Sequence, residues 1–433
     1  MLRMSHGVVL CALTLLVIGV VMVNSAGLSV PPDPALVQSG AITEAQFEKM
    51  QASYRPISFE QVFFGRTTIL AGLSLLAMFI ASRIDVEWLY RLRGALSPVP
   101  WILGLSVVTL LLVHVPGIGR EVNNSSRWIG PPSYGFQPSE LAKWGMLLVA
   151  AWFCVRYENR IRSFRRGFLP AFAVLVVICG LIGKEDLGTA VLVFASCALV
   201  LVIGGLRLAH VALLVPVGLL LSAAAIVTSP YRVNRLLAWR DPWQEPEGIG
   251  YHVIQSMSAI AGGGLTGRGL GNSLQKFGYL PEDTTDFIYA IICEEQGIMG
   301  SVLVVSLYAG LLLFGLAIVT RGSKRPEADQ IVPPFSRLVG IGVLLTIGLQ
   351  ALINLLVVTG LAPTKGIALP LLSSGGTGWV MIGFSLGLVL SIERSAMRRE
   401  RALGISEDDV VLDTPAESAR ATVEPNAEGA TRA

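Results

Sequence analysis

Long apolar runs separated by shorter polar ones cover most of this sequence. A bilayer core takes about 20 mostly apolar residues per helix. A window of that length predicts spans near residues 7–26, 62–82, 97–116, 139–156, 168–183, 187–205, 208–228, 290–320, 336–359 and 375–393. The run from 290 exceeds what a span needs, so its first part is expected to precede the membrane. The expected fold is all-α, a polytopic membrane protein of about ten transmembrane helices. The first span follows Arg3 and ends in Val23-Asn24-Ser25-Ala26, a pattern that a signal peptide with a small-residue cleavage site also shows. With so many spans following, an uncleaved first helix is the simpler expectation.

The polar breaks alternate in charge. Arg83, Arg91 and Arg93 follow the second span, and Arg156, Arg160, Arg162, Arg165 and Arg166 the fourth. Arg321, Lys324 and Arg325 follow the eighth, and Arg394, Arg398, Arg399 and Arg401 the tenth. Basic residues mark the cytoplasmic side, so both termini are expected there. The opposite side then holds loops 27–61, 117–138, 183–186, 229–289 and 360–374. The large outer loop 229–289, between the seventh and eighth helices, is the longest. Residues 1–401 read as the transmembrane domain. Residues 402–433, rich in Ala, Glu, Thr and Pro, read as a disordered cytoplasmic tail.

Composition agrees: 53% of the 433 residues are hydrophobic and 15% charged, against about 25% charged in soluble domains. A net charge of +3 gives no reason to expect nucleic acid as a partner. The five cysteines lie in or beside apolar runs without a CxxC pair, and the four histidines form no metal-binding spacing. No motif shows a metal site. A divalent ion assisting a pyrophosphate is the one cofactor the chemistry below would call for.

Unusual polar residues gather in the outer loops and adjoining span ends. Arg127-Trp128-Ile129-Gly130 precedes Gln137-Pro138-Ser139-Glu140 and Lys143. Glu140 and Lys143 share a helix face. They read either as a structural pair or, with Arg127, as a site for an anionic headgroup, since charge inside a membrane needs a partner or a polar cavity. Trp128 alone would be an interface anchor. Lys184-Glu185-Asp186-Leu187-Gly188-Thr189 is a charged turn whose Asp186 points either to the surface or inward along the next helix.

The large loop carries Arg232, Arg235, Asp241-Pro242-Trp243, Tyr251-His252 and a glycine-rich stretch from Gly262 to Ser273. No βαβ pattern or GxxxxGK[ST] accompanies those glycines, so nucleotide binding is not expected. Close backbone approach or N–H contacts to phosphate suit them better. Lys276, Tyr279-Leu280-Pro281-Glu282 and Thr284-Thr285-Asp286-Phe287 close the loop. By position Asp286 is a helix N-cap, or a carboxylate facing an outer cavity as general base or metal ligand. Gln350 and Asn354 lie within a span, followed by Pro363-Thr364-Lys365-Gly366, Leu369-Pro370 and Ser373-Ser374-Gly375-Gly376. That loop is a plain connector unless Lys365 meets a phosphate.

In this order, across roughly residues 7–393, these groups resemble the SEDS family of bacterial peptidoglycan glycosyltransferases (FtsW, RodA and SpoVE). The match runs from Gly19–Val23 with Ser25-Ala26, through RWI, QPSE and Lys143, to the Lys184–Thr189 turn. It continues with Lys276, YLPE, TDF, Glu294-Glu295 with Gly297, and ends with PTKG, LP and SSGG. The resemblance implies polymerisation of lipid II into glycan strands outside the cytoplasmic (inner) membrane. It implies a class B penicillin-binding protein of FtsI type as partner, among other divisome membrane proteins and membrane lipids. Asp286 takes the place of the family's essential aspartate. Arg127, Trp128, Glu140 and Lys143 match residues tied to function, and Asp186, Lys276, Glu282, Lys365 and Ser373 complete the expected substrate-binding set. Lys276 and Thr364-Lys365-Gly366 resemble FtsW more than RodA, which favours division at the septum over elongation. Departures are Lys184-Glu185 for the usual Gln-Pro, Thr284 where many members have His, Ser374 where Tyr is common, and a longer 27–61 loop.

The implied chemistry is inverting glycosyl transfer, with Asp286 as base and Arg127, Lys143, Lys276 and Lys365 facing the departing pyrophosphate. Two other readings stand beside it. In a lipid II flippase, Glu140, Lys143 and Asp186 would line a polar path. A divisome scaffold would use the basic loops and leave the outer polar cluster unexplained.

Overall fold

The computed structural model describes residues 3–27, 44, 48, 59–92, 96–122, 125–131, 135–275, 280–323, 331–374, 376–404 and 410–412. A helix covers each expected span. In chain order these are α1 (Met4–Ala26), α2 (Arg66–Ala81), α3 (Pro98–Leu112), α4 (Pro138–Arg156), α5 (Leu169–Glu185) and α6 (Leu187–Ile203). Next comes α7 (Leu208–Val227), then α8 (Pro230–Arg240) and α9 (Tyr251–Gly263) inside the large loop. The last are α10 (Ile288–Val319), α11 (Pro334–Val358) and α12 (Thr377–Ala402). Among the described residues, six helices are long and apolar enough to cross a membrane unaided. α2, α3 and α6 are apolar but short, and α4 is diluted by Glu140 and Lys143.

The start of α1 and the end of α12 lie together at one end of the bundle, the terminal end. The loops that carry the unusual polar residues lie at the other, distal end. There the 117–138 loop begins with a hairpin, β1 (Gly119–Val122) antiparallel to β2 (Ser125–Ile129), with its register broken between Arg120 and Glu121. The large loop is built of helices. α8 starts on Pro230, whose fixed φ suits a first turn.

Packing depends on small residues, as expected where lipid gives no hydrophobic drive between helices. Gly383 and Gly387 stand one turn apart on α12. A β-carbon at either would lie 2.3 Å from a carbonyl of α2, Ser74 O or Met78 O respectively. Nearby, Ser74 Oγ donates to Trp379 O at 2.7 Å. α1 packs along α10 and reaches the 360–376 loop, where a β-carbon on Gly19 would lie 2.6 Å from Leu371 O.

α10 is 32 residues, about 48 Å, and it is broken at Gly297 (φ 65°, ψ −159°). The residues before the break form a separate distal segment. Buried polar ties close the terminal end. Glu87 accepts from Ser336 N–H and Oγ–H at 3.1 and 2.7 Å, and Arg321 clamps Glu400 at 2.5 and 3.0 Å. In the tail, β4 (Val410–Leu412) pairs antiparallel with β3 (Arg321–Ser323). The rest of the tail, most of the 27–61 loop, and Lys324 with Arg325 fall outside the described residues. All five cysteines are free thiols.

Candidate active site at the distal end

Five elements converge at the distal end: the β1–β2 hairpin, the α5–α6 turn, α8, the segment before α10, and the 360–376 loop. Arg127 and Trp128 are adjacent on β2, so their side chains point to opposite faces. The Arg127 Nε donates to Ser125 Oγ at 2.8 Å and Glu185 O at 3.0 Å, and its Nη1 lies 3.7 Å from Asp186 Oδ2. Trp128 turns away, its ring 3.1 Å from where Gly135 would carry a β-carbon and 3.8 Å from the corresponding point at Gly376.

Asp186 points inward and is 7% exposed. It caps α6, with Oδ1 accepting from Thr189 N–H at 3.0 Å and Oδ2 from Thr189 Oγ1–H at 2.9 Å. Its remaining role is to hold Arg127. Glu185, in the place where the family usually has Pro, accepts from Ser126 N–H at 3.0 Å and so fastens the hairpin to α5. Lys184 is exposed.

Asp286 precedes α10, but the N-cap position belongs to Phe287 and no side-chain cap forms. Among the described residues nothing donates to the Asp286 carboxylate. Its own carbonyl accepts from Asn354 Nδ2 at 2.8 Å, and the same amide bonds Ile367 O at 2.7 Å. Asn354, on α11, therefore brings Asp286 and the 360–376 loop together. A β-carbon at Gly366 would lie 3.0 Å from Asp286 Oδ2, so glycine leaves that carboxylate its room. Burial, followed by the Glu282 carboxylate, pushes Asp286 up to about 7, against the pull of Arg235.

Arg235 and Arg127 act on this carboxylate electrostatically, and further cations lie on the neighbouring elements. Arg235 on α8 donates to Thr364 O at 3.2 Å. Arg232, one turn earlier, donates to Gly183 O and Lys184 O, each at 3.1 Å. Lys365 is partly buried, and burial together with Arg232 draws it below the usual lysine range, while Asp186 opposes this. Burial and Arg235 also hold His252 below its usual value, which favours a neutral imidazole stacked 6.0 Å from Phe287. Glu282 lies on the exposed rim at φ 58° and accepts from Thr285 Oγ1–H at 2.8 Å.

Three of the expected substrate contacts, Glu140, Lys143 and Ser373, are engaged within the protein. Lys143 is sealed, 2% exposed. Its Nζ sits 2.8 Å from both Glu140 oxygens and donates to Gln350 Oε1 at 2.9 Å, and Gln350 in turn donates to Ala368 O at 2.8 Å. The pair is an internal strut under the 360–376 loop. Ser373 is 0% exposed and its Oγ accepts from Leu369 N–H at 2.7 Å, closing a turn. Lys276 and Tyr279 lie outside the described residues.

Arg232, Arg235, Gln350 and Asn354 were visible in sequence as polar residues but not as site residues. Their signal was spacing, since 232/235 and 350/354 each share a helix face. Among the described residues no three His, Cys, Asp or Glu side chains assemble a metal set.

A family model described as "Cell cycle protein", FTSW_RODA_SPOVE, matches residues 41–398. The chain belongs to the FtsW/RodA/SpoVE family. It is 35% identical over 393 residues to stage V sporulation protein E of Bacillus subtilis (strain 168), covering 89% of this chain and 96% of that one. It is also 35% identical over 400 residues to a probable peptidoglycan glycosyltransferase FtsW of Marinobacter nauticus, covering 92% and 91%. Among solved structures, a chain from work on polymerization and crosslinking by a peptidoglycan synthase complex aligns with TM-score 0.64 and 28% identity, over 90% of this chain and 97% of that one. The rod shape determining protein RodA of Thermus thermophilus aligns with TM-score 0.55 and 25% identity, over 90% and 96%.

Proposed function

We propose that this chain is a peptidoglycan glycosyltransferase that polymerises lipid II during cell division. Its distal end faces outward and both termini face the cytoplasm, at the septal cytoplasmic membrane, beside a class B penicillin-binding protein. The observation that carries the assignment is the Asp286 carboxylate. It is held at the membrane edge, free of hydrogen-bond donors among the described residues, with an acidity suited to taking a proton near neutral pH.

In the reaction, an acceptor sugar hydroxyl attacks the anomeric carbon of the donor from the face opposite its lipid pyrophosphate. The new C–O bond forms as the bond to the pyrophosphate breaks, and the anomeric configuration inverts. Asp286 takes the hydroxyl proton. Negative charge grows on the departing pyrophosphate, where Arg235, Lys365 and, behind Asp186, Arg127 supply fixed positive charge. Glu282 borders the same space. Glu140 and Lys143 act from beneath by fixing the 360–376 loop. A flippase reading has less support, because Lys143 is locked to Glu140 and Gln350 and offers no polar path.

The test is a lipid II polymerisation gel with the chain purified beside its cognate penicillin-binding protein. Wild type gives glycan strands. Asp286→Asn, with the same shape and no basic oxygen, gives none. Polymer from the Asn variant at near wild-type rate sinks the assignment of the base.

A further inference from the structure

At the terminal end, far from Asp286, α1, α2 and α12 surround a cavity of about 890 Å³. Arg3, Arg83, Arg394, Arg398 and Arg401 line it. One carboxylate, Glu393, is also present, but it is 2% exposed and already engaged: Ser5 N–H donates to it at 3.1 Å and Arg321 lies 3.9 Å away. Among the described residues Arg3, Arg394, Arg398 and Arg401 have no carboxylate partner. Arg83 lies over the Phe79 ring at 4.6 Å.

Beside these cations the wall is apolar, formed by Val9, Leu75, Met78, Phe79, Leu390 and Met397. Like charges gathered at one mouth repel unless a counter-charge joins them. Guanidinium groups match phosphate oxygens in pairs. A soluble anion would satisfy the arginines and leave the apolar wall unused. A lipid satisfies both.

We propose that this cavity binds an anionic phospholipid. The headgroup phosphate sits among the arginines and an acyl chain lies along the apolar wall, in the leaflet on the side of the termini. The site is separate from glycosyl transfer, and its test does not require polymerisation.

The full-length protein is reconstituted in vesicles of phosphatidylglycerol and phosphatidylcholine, then released for native mass spectrometry. Retained phosphatidylglycerol is expected in excess over phosphatidylcholine. R394Q/R398Q, both at exposed positions, is expected to cut that retention about tenfold or more, since each basic residue near an anionic surface counts for about fivefold. R165Q/R166Q, an exposed pair in another loop at the same end, is expected to change nothing. Equal loss in both double variants, or no headgroup preference, would overturn the proposal. So would displacement of the lipid by millimolar inorganic phosphate, which would mark a soluble-anion site. If circular dichroism shows the double variant unfolded, R398Q alone is read, with a loss of about fivefold expected.

Discussion

Asp286 is pulled two ways: burial and Glu282 favour its proton, while Arg235 favours its charge. A base must be ionised, so polymerisation is expected to rise with pH and level off above about 7. Arg235→Gln removes a cation that lowers this value, so the rising limb should move to higher pH. A limb that stays put would mean the arginine serves only its bond to Thr364. The same shift carries a stability cost. The folded state holds the proton more tightly than the unfolded chain (about 7 against 3.8), so stability is expected to fall as pH rises through that window. Asp286→Asn should flatten that fall in thermal melts. The residue-level reading was partly legible in sequence. Asp286, Arg127 and Lys365 stood out because charge at a membrane edge needs a reason. Lys143 could not be placed, because helical spacing puts it on one face with Glu140 without saying whether that face is open. Ser373 could not be placed either, because a hydroxyl that closes a turn and one that binds a ligand look alike in one dimension.

Helices were the most legible elements, since apolar length is itself the signal. The break in α10 was hidden because a single glycine after Glu294-Glu295-Gln296 does not reveal in sequence that its φ is left-handed. Its left-handed φ brings the glycine-rich turn against the helix: Arg268 N–H and Gly269 N–H donate to Glu294 O and Glu295 O at 3.0 and 2.9 Å. Glu294 also accepts from Ser273 Oγ–H at 2.5 Å and Glu295 from Ser25 Oγ–H at 2.7 Å. A β-carbon at Gly297 would lie 2.4 Å from Gly267 N. Gly297→Ala is therefore expected to cost more than the roughly 1–3 kcal/mol of backbone strain alone. It should lower the melting temperature and reduce polymerisation together. A variant with unchanged melting would mean the kink is not needed. The β1–β2 hairpin was also unread, because four- and five-residue strands in a polar loop carry too little alternation to notice.

For the whole molecule, the alternating arginines make a topology prediction that side-chain geometry does not touch. Cysteine placed at exposed Glu245 should react with an impermeant maleimide added to intact cells, and cysteine at exposed Arg162 should not. The reverse pattern would invert the protein and the proposed site with it. Four of the native thiols are buried, and the fifth, Cys179, lies within α5, so background labelling should be small. The bond from Ser25 to Glu295 joins residues 270 apart, and Gly19 of the same helix waits for Leu371, further still along the chain. Synthesis runs from the N-terminus, so α1 enters the bilayer long before either partner exists. The clamp on the glycine-rich turn thus closes late. A nascent chain stopped after α9 has most of its spans in place and no Asp286. The proposed base thus arrives only with the last third of translation.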